Sequence, residues 1–311
     1  MFEILILWDY YIIYNNETSK SFRHIRYIQK ITSQRMEGNI KKNMRDKDFK
    51  EKKVILNQKR KLMKMEDKLL NKKENMYIKN KISPIKEKLE EKIPAKMMDT
   101  FQKAFEKGFY YVFEKGTVII EKSYNPEKLK NEADINEYIL SKQINNKNLN
   151  RIDKKVKRGA FINKGITAVE GIGLGVLGIG LPDIPVFIGI ILKTVYEICL
   201  NYGFNYDSEE EKAFVLNIIC MSANKTAERI IYSNEADRIG YDIDKNFHNK
   251  VDINKMIEVT SRNLSENIIL SKVIQGVPII GIYGGISNYI LIRDISEVAS
   301  IKYKKRLLSK L

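Results

Sequence analysis

The sequence predicts an all-α fold: one helical domain over residues 84–311 carrying two glycine-rich apolar helical hairpins, preceded by a basic helical or disordered extension. Three observations predict it. Apolar residues recur at three- and four-residue intervals through the second two-thirds of the chain, the period of a helix with one buried face. Three helix starts stand out, at Asn125, Ser208 and Asp252. No stretch sustains apolar-polar alternation with turn signals on both sides, so strands are not expected.

Composition sets the frame. Of 311 residues, 43% are hydrophobic and 30% charged, which supplies apolar surface for a core and excludes disorder throughout. Single cores stop growing near about 250–300 residues, so one core plus an extension is expected. Of the formal charge of +16, about +11 lies in the first hundred residues. A basic excess attracts phosphate on lipid or nucleic acid, and charge alone does not choose between them; a solvated lysine-rich helix is the plain alternative.

Residues 1–40 read as poorly structured or non-native. An aromatic run from Trp8 to Tyr14 gives way to polar residues and scattered bases. A start of translation at Met36 or Met44 is an alternative reading. Met1 to Ile13 lacks a basic flank and a small-residue cleavage site, so no secretory signal is expected and a reducing cytosol is implied. Cys199 and Cys220 sit in apolar helical patterns without metal-type spacing, which predicts buried thiols.

Residues 41–83 predict a lysine-rich amphipathic helix whose thin stripe is Val54, Leu56, Leu62, Met65, Leu69 and Leu70. Such a helix is marginal alone and must dock, pair or lie on something. Ser83-Pro84 and Ile93-Pro94 then break the chain. From Ala95 a strong face begins: Met97, Met98, Phe101, Phe105, Phe109, Val112 and Phe113. Phe109, Tyr110, Tyr111 and Phe113 beside Lys107 and Lys115 resemble an interfacial anchor; the plain alternative puts two rings in the core and two half-buried.

Asn125-Pro126 opens the next helix, because Asn accepts orphan amides and Pro suits the first turn. Ser208-Glu209-Glu210-Glu211 matches a capping box, predicting a helix with Ala213, Leu216, Cys220, Ala223, Ala227 and Ile230 on one face. Asp252 caps a run with Ile253, Met256, Ile257, Leu264 and Ile268.

Two glycine-rich segments are the expected working parts. Gly165 to Gly180 leads into Leu181-Pro182-Asp183-Ile184-Pro185 and a second apolar arm to Leu192, with only Glu170 and Asp183 charged from Ile166 onward. Two prolines forbid one straight spanning helix, so arm, turn and returning arm are expected. Each interior glycine costs about 1 kcal/mol of helix propensity. Close backbone approach offsets that, and Gly171-x-x-x-Gly175 and Gly281-x-x-x-Gly285 supply flat faces for it, in a soluble core or in a membrane hairpin. Gly173-x-Gly175-x-x-Gly178 matches a dinucleotide fingerprint in letters only, since no strand precedes it and Pro182 and Pro185 interrupt the helix it would have to open.

Catalytic candidates are few. Glu170 and Asp183 lie in apolar runs, but a helical arm would hold them about 20 Å apart, too far for joint acid-base work. Asp183 reads as the N-cap of the returning arm, and Glu170 as the partner of a base such as Lys164, Lys193 or Arg293. His24 and His248 show no ligand spacing, and phosphate-loop, nucleophile-elbow and zinc-protease motifs are absent; neither metal nor cofactor is expected.

Several elements in order resemble the EcsC-like bacterial proteins: Ala104-Phe105-Glu106-Lys107-Gly108-Phe109 with Phe113-Glu114-Lys115-Gly116, the Glu170–Gly180 run, Leu181 to Pro185, Tyr202-Gly203-Phe204-Asn205-Tyr206-Asp207-Ser208-Glu209-Glu210, and Val277 to Gly281 with Asn288. Asn205 departs from the acidic or glycine-rich turn frequent there, and the basic N-terminal part lies outside the resemblance. It implies a mostly helical cytoplasmic or membrane-associated protein, and the family name comes from a member encoded beside an ATP-binding-cassette exporter. No reaction or catalytic residue comes with it. The functional expectation is a non-enzymatic accessory protein peripheral to the inner face of the membrane, its partner an anionic surface or a membrane protein complex. The alternatives are a hydrolase using Asp183 or Glu170, and nucleic-acid binding through residues 41–96.

Overall fold

The computed structural model describes residues 46–71, 95–159, 184–224, 227–247, 249–274 and 284–311. The chain divides into two units, Met1–Lys53 and Val54–Leu311. In the first, residues 46–53 are helical, with Lys47 3.9 Å from Glu51 one turn on. The described residues from Val54 onward belong to the second.

Among the described residues there are helices and no strand, as the periodicity predicted. Residues 46–70 are helical (α1). α2 is Ala95–Tyr111, succeeded by a π-turn at Val112–Gly116 and the short α3, Thr117–Lys122. Then come α4 (Pro126–Lys142), α5 (residues 146–159), α6 (Ile184–Asn201), α7 (Glu209–Ala223), α8 (Ala227–Asp244), α9 (Ile253–Ile274) and α10 (Gly284–Lys310).

The helix starts fall where cap chemistry places them. Asn125 Oδ1 accepts from the Lys128 amide at 2.9 Å, Ser208 Oγ from Glu211 at 3.1 Å, and Asp252 Oδ1 from Lys255 at 3.0 Å. The capping box closes on the serine side only. Glu211 is buried, and its carboxylate turns inward to Tyr303 and Arg306.

α7 is the central helix and packs against α8, α9 and α10. From Ala213 to Ala223 every side chain is buried, so the single apolar face expected for it is in fact the whole circumference. It also ends earlier than the pattern through Ala227 and Ile230 suggested. Arg229, from α8, donates through Nε to the carbonyls of Met221 and Asn224, both at 3.0 Å, and Asn224 Nδ2 donates to the Cys220 carbonyl. These bonds satisfy the orphan acceptors at the helix end and let the chain turn. Ile230, assigned to that face, is exposed.

α6 contacts α10, α2 and α4. Among the described residues it is the one helix long and apolar enough to cross a membrane, and 67% of it is buried inside the fold, as befits a core helix. Its first residue comes directly after Asp183, where the returning arm was expected to begin. α2 lies close against that first turn because Gly108 has no side chain. A Cβ there would meet Ile188 Cδ1 at 2.5 Å and Ile184 Cγ2 at 3.4 Å. Phe105 and Phe109 are fully buried, Phe113 packs against the core, and Tyr110 and Tyr111 face out. Of the four rings expected either as an interfacial anchor or as two in the core and two half-buried, Phe109 is buried, Phe113 half-buried and both tyrosines exposed, which matches neither division.

α1 docks on much of the stripe expected, with Leu62 and Leu69 in the core and Val54 and Leu70 packed against it, but two of the six predicted positions fall outside. Ile55, Gln58, Leu62, Glu66 and Leu69 are buried, whereas Leu56 and Met65 are exposed. The spacing is still helical. Two of the five positions are polar, which a search for apolar letters could not find, and their partners lie on α5 and α10.

Candidate functional site

The last helix carries Lys302, Lys304, Lys305, Arg306 and Lys310, a run that in isolation reads as a solvated basic tail. The fold draws it inward. Lys302 is 1% exposed and Arg306 6%. Charges so placed survive only when paired and hydrogen-bonded.

Lys302 Nζ lies 2.6 Å from Glu66 Oε1, 2.8 Å from Asp237 Oδ1, 2.8 Å from Ser233 Oγ and 2.9 Å from the Ser233 carbonyl. Lys305 reaches the second oxygens of the same two carboxylates, at 3.0 Å and 2.6 Å. Glu66 of α1 and Asp237 of α8 therefore each bridge both lysines of α10. Lys304 binds Asp153 at 2.6 Å and Gln58 at 3.0 Å, and Gln58 donates to Asn146. Arg306 meets Asp244 through Nε and Nη2, and Glu211 at 2.7 Å. Lys310 lies 3.4 Å from Asp244. Five bases thus meet five acids, and the seam contributes no net charge.

The Tyr202–Glu210 segment, prominent as a sequence motif, is the other wall of this seam. Gly203 takes φ +79°, a left-handed conformation that lets the chain leave α6 sharply, and its amide and that of Phe204 return to the Leu200 and Cys199 carbonyls. Tyr202 donates to Asp153 at 3.1 Å. Phe204 lies 4.3 Å below the Arg306 guanidinium, with Phe214 at 4.8 Å and Tyr303 at 5.6 Å. Arg306 Nη1 is buried without a hydrogen-bond partner among the described residues, and these ring faces provide its electrostatic compensation. Tyr206 stacks on Tyr196 at 3.9 Å and donates to Glu121 at 2.6 Å.

Burial opposes the ionisation of Glu66, but Lys302 and Lys305 outweigh it and hold its pKa below the ordinary 4.5. Folding therefore favours the ionised form. Its contribution is fully present above about pH 4.5 and is lost as pH falls through the folded-state value. Urea unfolding of the wild type and Glu66→Gln across pH should show a stability gap that is constant near neutrality and narrows below that point. A gap that widens on acidification would contradict the assignment. Glu211 is opposite in direction: burial raises its pKa and Arg306 opposes the rise.

Ser233 beside Lys302 has the outline of a serine-lysine nucleophile pair. The chemistry fails because both side chains are 1% exposed, out of reach of a substrate, and Lys302 is engaged by two carboxylates. Burial also raises the thiol pKa of both cysteines, that of Cys220 to about 11, so neither is a thiolate near neutrality. Among the described residues no group of His, Cys, Asp and Glu has metal-holding geometry. A surface groove of about 230 Å3 between α8 and α9 is lined by Glu235, Arg238, Asp242, Phe247, Lys255 and neighbours. Its Arg238 is already occupied by Glu235 and Asp242.

Of the residues singled out in the sequence, Glu170, Gly171, Gly175, Asp183 and Gly281 lie outside the described residues, as do His24, His248 and Lys164. Gly285 falls in the first turn of α10. Arg293 binds Asp294 at 2.8 Å, and Lys193 donates to the Ser123 carbonyl at 3.3 Å. The seam was missed because its members are far apart in the chain: 236 positions separate Glu66 from Lys302. A polar residue at a helical core position, as at Gln58 and Glu66, is the signal that could have found it.

The chain matches the EcsC protein family over residues 56–308. It is 28% identical over 142 residues to a Bacillus subtilis (strain 168) protein called Uncharacterized protein YdbA, an alignment covering 44% of this chain and 51% of that relative. The chain spans about half the length of this curated relative. No solved structure matches. The matched span starts inside α1 and ends near the C-terminus of α10, so it takes in both helices that carry the Glu66–Lys302 pair. With this match over most of its length, the chain belongs to the EcsC protein family.

Proposed function

We propose that the protein is a non-enzymatic accessory protein that works at the inner face of a cell membrane, engaging its anionic surface in the service of a membrane complex such as an ATP-binding-cassette exporter. One observation carries this reading. The bases at the end of α10 are paired with carboxylates, Lys302 and Arg306 inside the fold, whereas Lys59, Arg60, Lys61, Lys64 and Lys68 on α1 make no ion pair among the described residues. The second unit therefore displays unpaired bases on a helix whose opposite side is held in the core, with a further group, Arg151, Lys154, Lys157 and Arg158, exposed on α5. Each such base near an anionic bilayer contributes about 1 kcal/mol. The buried state of the seam's ionisable groups supports the non-enzymatic half of the proposal.

Co-sedimentation of the full chain with vesicles is the test. Binding is expected with vesicles containing phosphatidylglycerol and not with pure phosphatidylcholine, and it should fall steeply toward ~1 M salt, where the Debye length is about 3 Å. Absence of binding to either at low salt would overturn the proposal.

A further inference from the structure

Resting on that reading, we infer that α1 binds a lipid bilayer rather than another polyanion, by setting Leu56 and Met63 into it. The two residues are seven positions apart, which places them on one line of the helix about 10 Å apart. They are 55% and 63% exposed, among the most exposed large apolar side chains in the second unit. Arg60 and Lys64 stand to one side of this line and Lys59 to the other, so the apolar ridge is bracketed by cations. That is the arrangement of an interfacial helix: charged heads meet phosphates while the side chains between them reach the acyl boundary.

Two features select the bilayer. A single-stranded nucleic acid is gripped by bases interleaved with rings on which nucleobases stack. α1 carries a single ring, Phe49 in the first unit, and none from Val54 to Leu70 to interleave with the bases there, and a leucine and a thioether cannot stack but can be buried in hydrocarbon. The helix is also already ordered. Leu62 and Leu69 sit in the core and Glu66 is clamped by Lys302 and Lys305, so the partner meets a preformed ridge and binding carries little ordering cost. The same clamp fixes which side of α1 is presented, because a rotation that hid Leu56 would pull Glu66 from its two lysines.

The experiment compares the wild type with L56S/M63S in three arms: phosphatidylglycerol-containing vesicles, heparin as a soluble polyanion, and single-stranded RNA. Both side chains are exposed, so the variant should unfold at the wild-type temperature. Burying two such groups even partly is worth a tenfold or greater change in vesicle affinity, with heparin binding unchanged because no base has been removed. A dye sensitive to polarity, attached to Met63→Cys, should shift to the blue on vesicles. Wild-type vesicle binding that survives L56S/M63S, with no shift of the dye, overturns the insertion while leaving the anionic-membrane reading intact. Failure of the wild type to bind vesicles overturns both, and RNA binding in that circumstance assigns α1 to nucleic acid.

Discussion

Arg306→Met should lower the free energy of unfolding by about 3–5 kcal/mol, the range for removing one partner of a buried pair. The loss has two sources. Glu211, buried in the first turn of α7, would keep Tyr303 as a weak partner at 3.3 Å but lose its cation at 2.7 Å. Phe204 and Phe214 would lose the guanidinium that their faces surround. Asp244 is less affected, because Lys310 also reaches it. Chemical denaturation measures the change, and a deficit below about 1 kcal/mol would mean that the pair is solvated after all. The double variant R306M/E211L should recover much of the stability, since apolar replacement of a buried pair removes the desolvation penalty along with the attraction. Acidity gives a further check. In Arg306→Met the Glu211 pKa rises further, so the folded state takes up a proton more readily than the unfolded chain. The deficit should therefore be smaller at about pH 5 than at about pH 8.

Phe105→Ala is the second large expected effect, again about 3–5 kcal/mol. Phe105 has no exposed surface and meets Phe187 edge to face at 6.5 Å between ring centres. It stands one turn from Gly108, whose missing side chain lets α2 approach the start of α6. Truncation leaves a cavity where two helices are held closest, and neither backbone can move in to fill it. Equilibrium unfolding should show the loss without a change in vesicle binding, because the substitution removes no base and no exposed side chain of α1. A mild effect, under about 1 kcal/mol, would indicate that α2 can shift toward α6 and that the close approach at Gly108 is not rigid. The Ala104–Phe109 stretch, prominent in the sequence, thus acts by packing.

The Lys302 cluster illustrates how composition misleads. The five cations from Lys302 to Lys310 add to the count of bases, yet they face five carboxylates, so the seam carries no net formal charge. Exposed bases that make no ion pair among the described residues stand instead on α1 and on α5, the latter at Arg151, Lys154, Lys157 and Arg158.

Helix identity, helix starts and the buried thiols were determined by the sequence itself, because they depend on neighbours a few positions away. Asn125, Ser208 and Asp252 cap the helices they precede, and Phe101, Phe105 and Phe109 line one face by their spacing alone. What only the tertiary structure decided is which polar groups go inside. Glu211 could have closed a capping box on the surface and instead meets Arg306, while Gln58 and Glu66 take core positions that apolar periodicity assigned to Leu56 and Met65. The end of α7 at Ala223 was likewise settled by Arg229 reaching back from α8. The physical reason is the same in each case: a buried charge is tolerated only beside its counter-charge, and that partner lies on another helix, at a separation in the chain that no local pattern encodes.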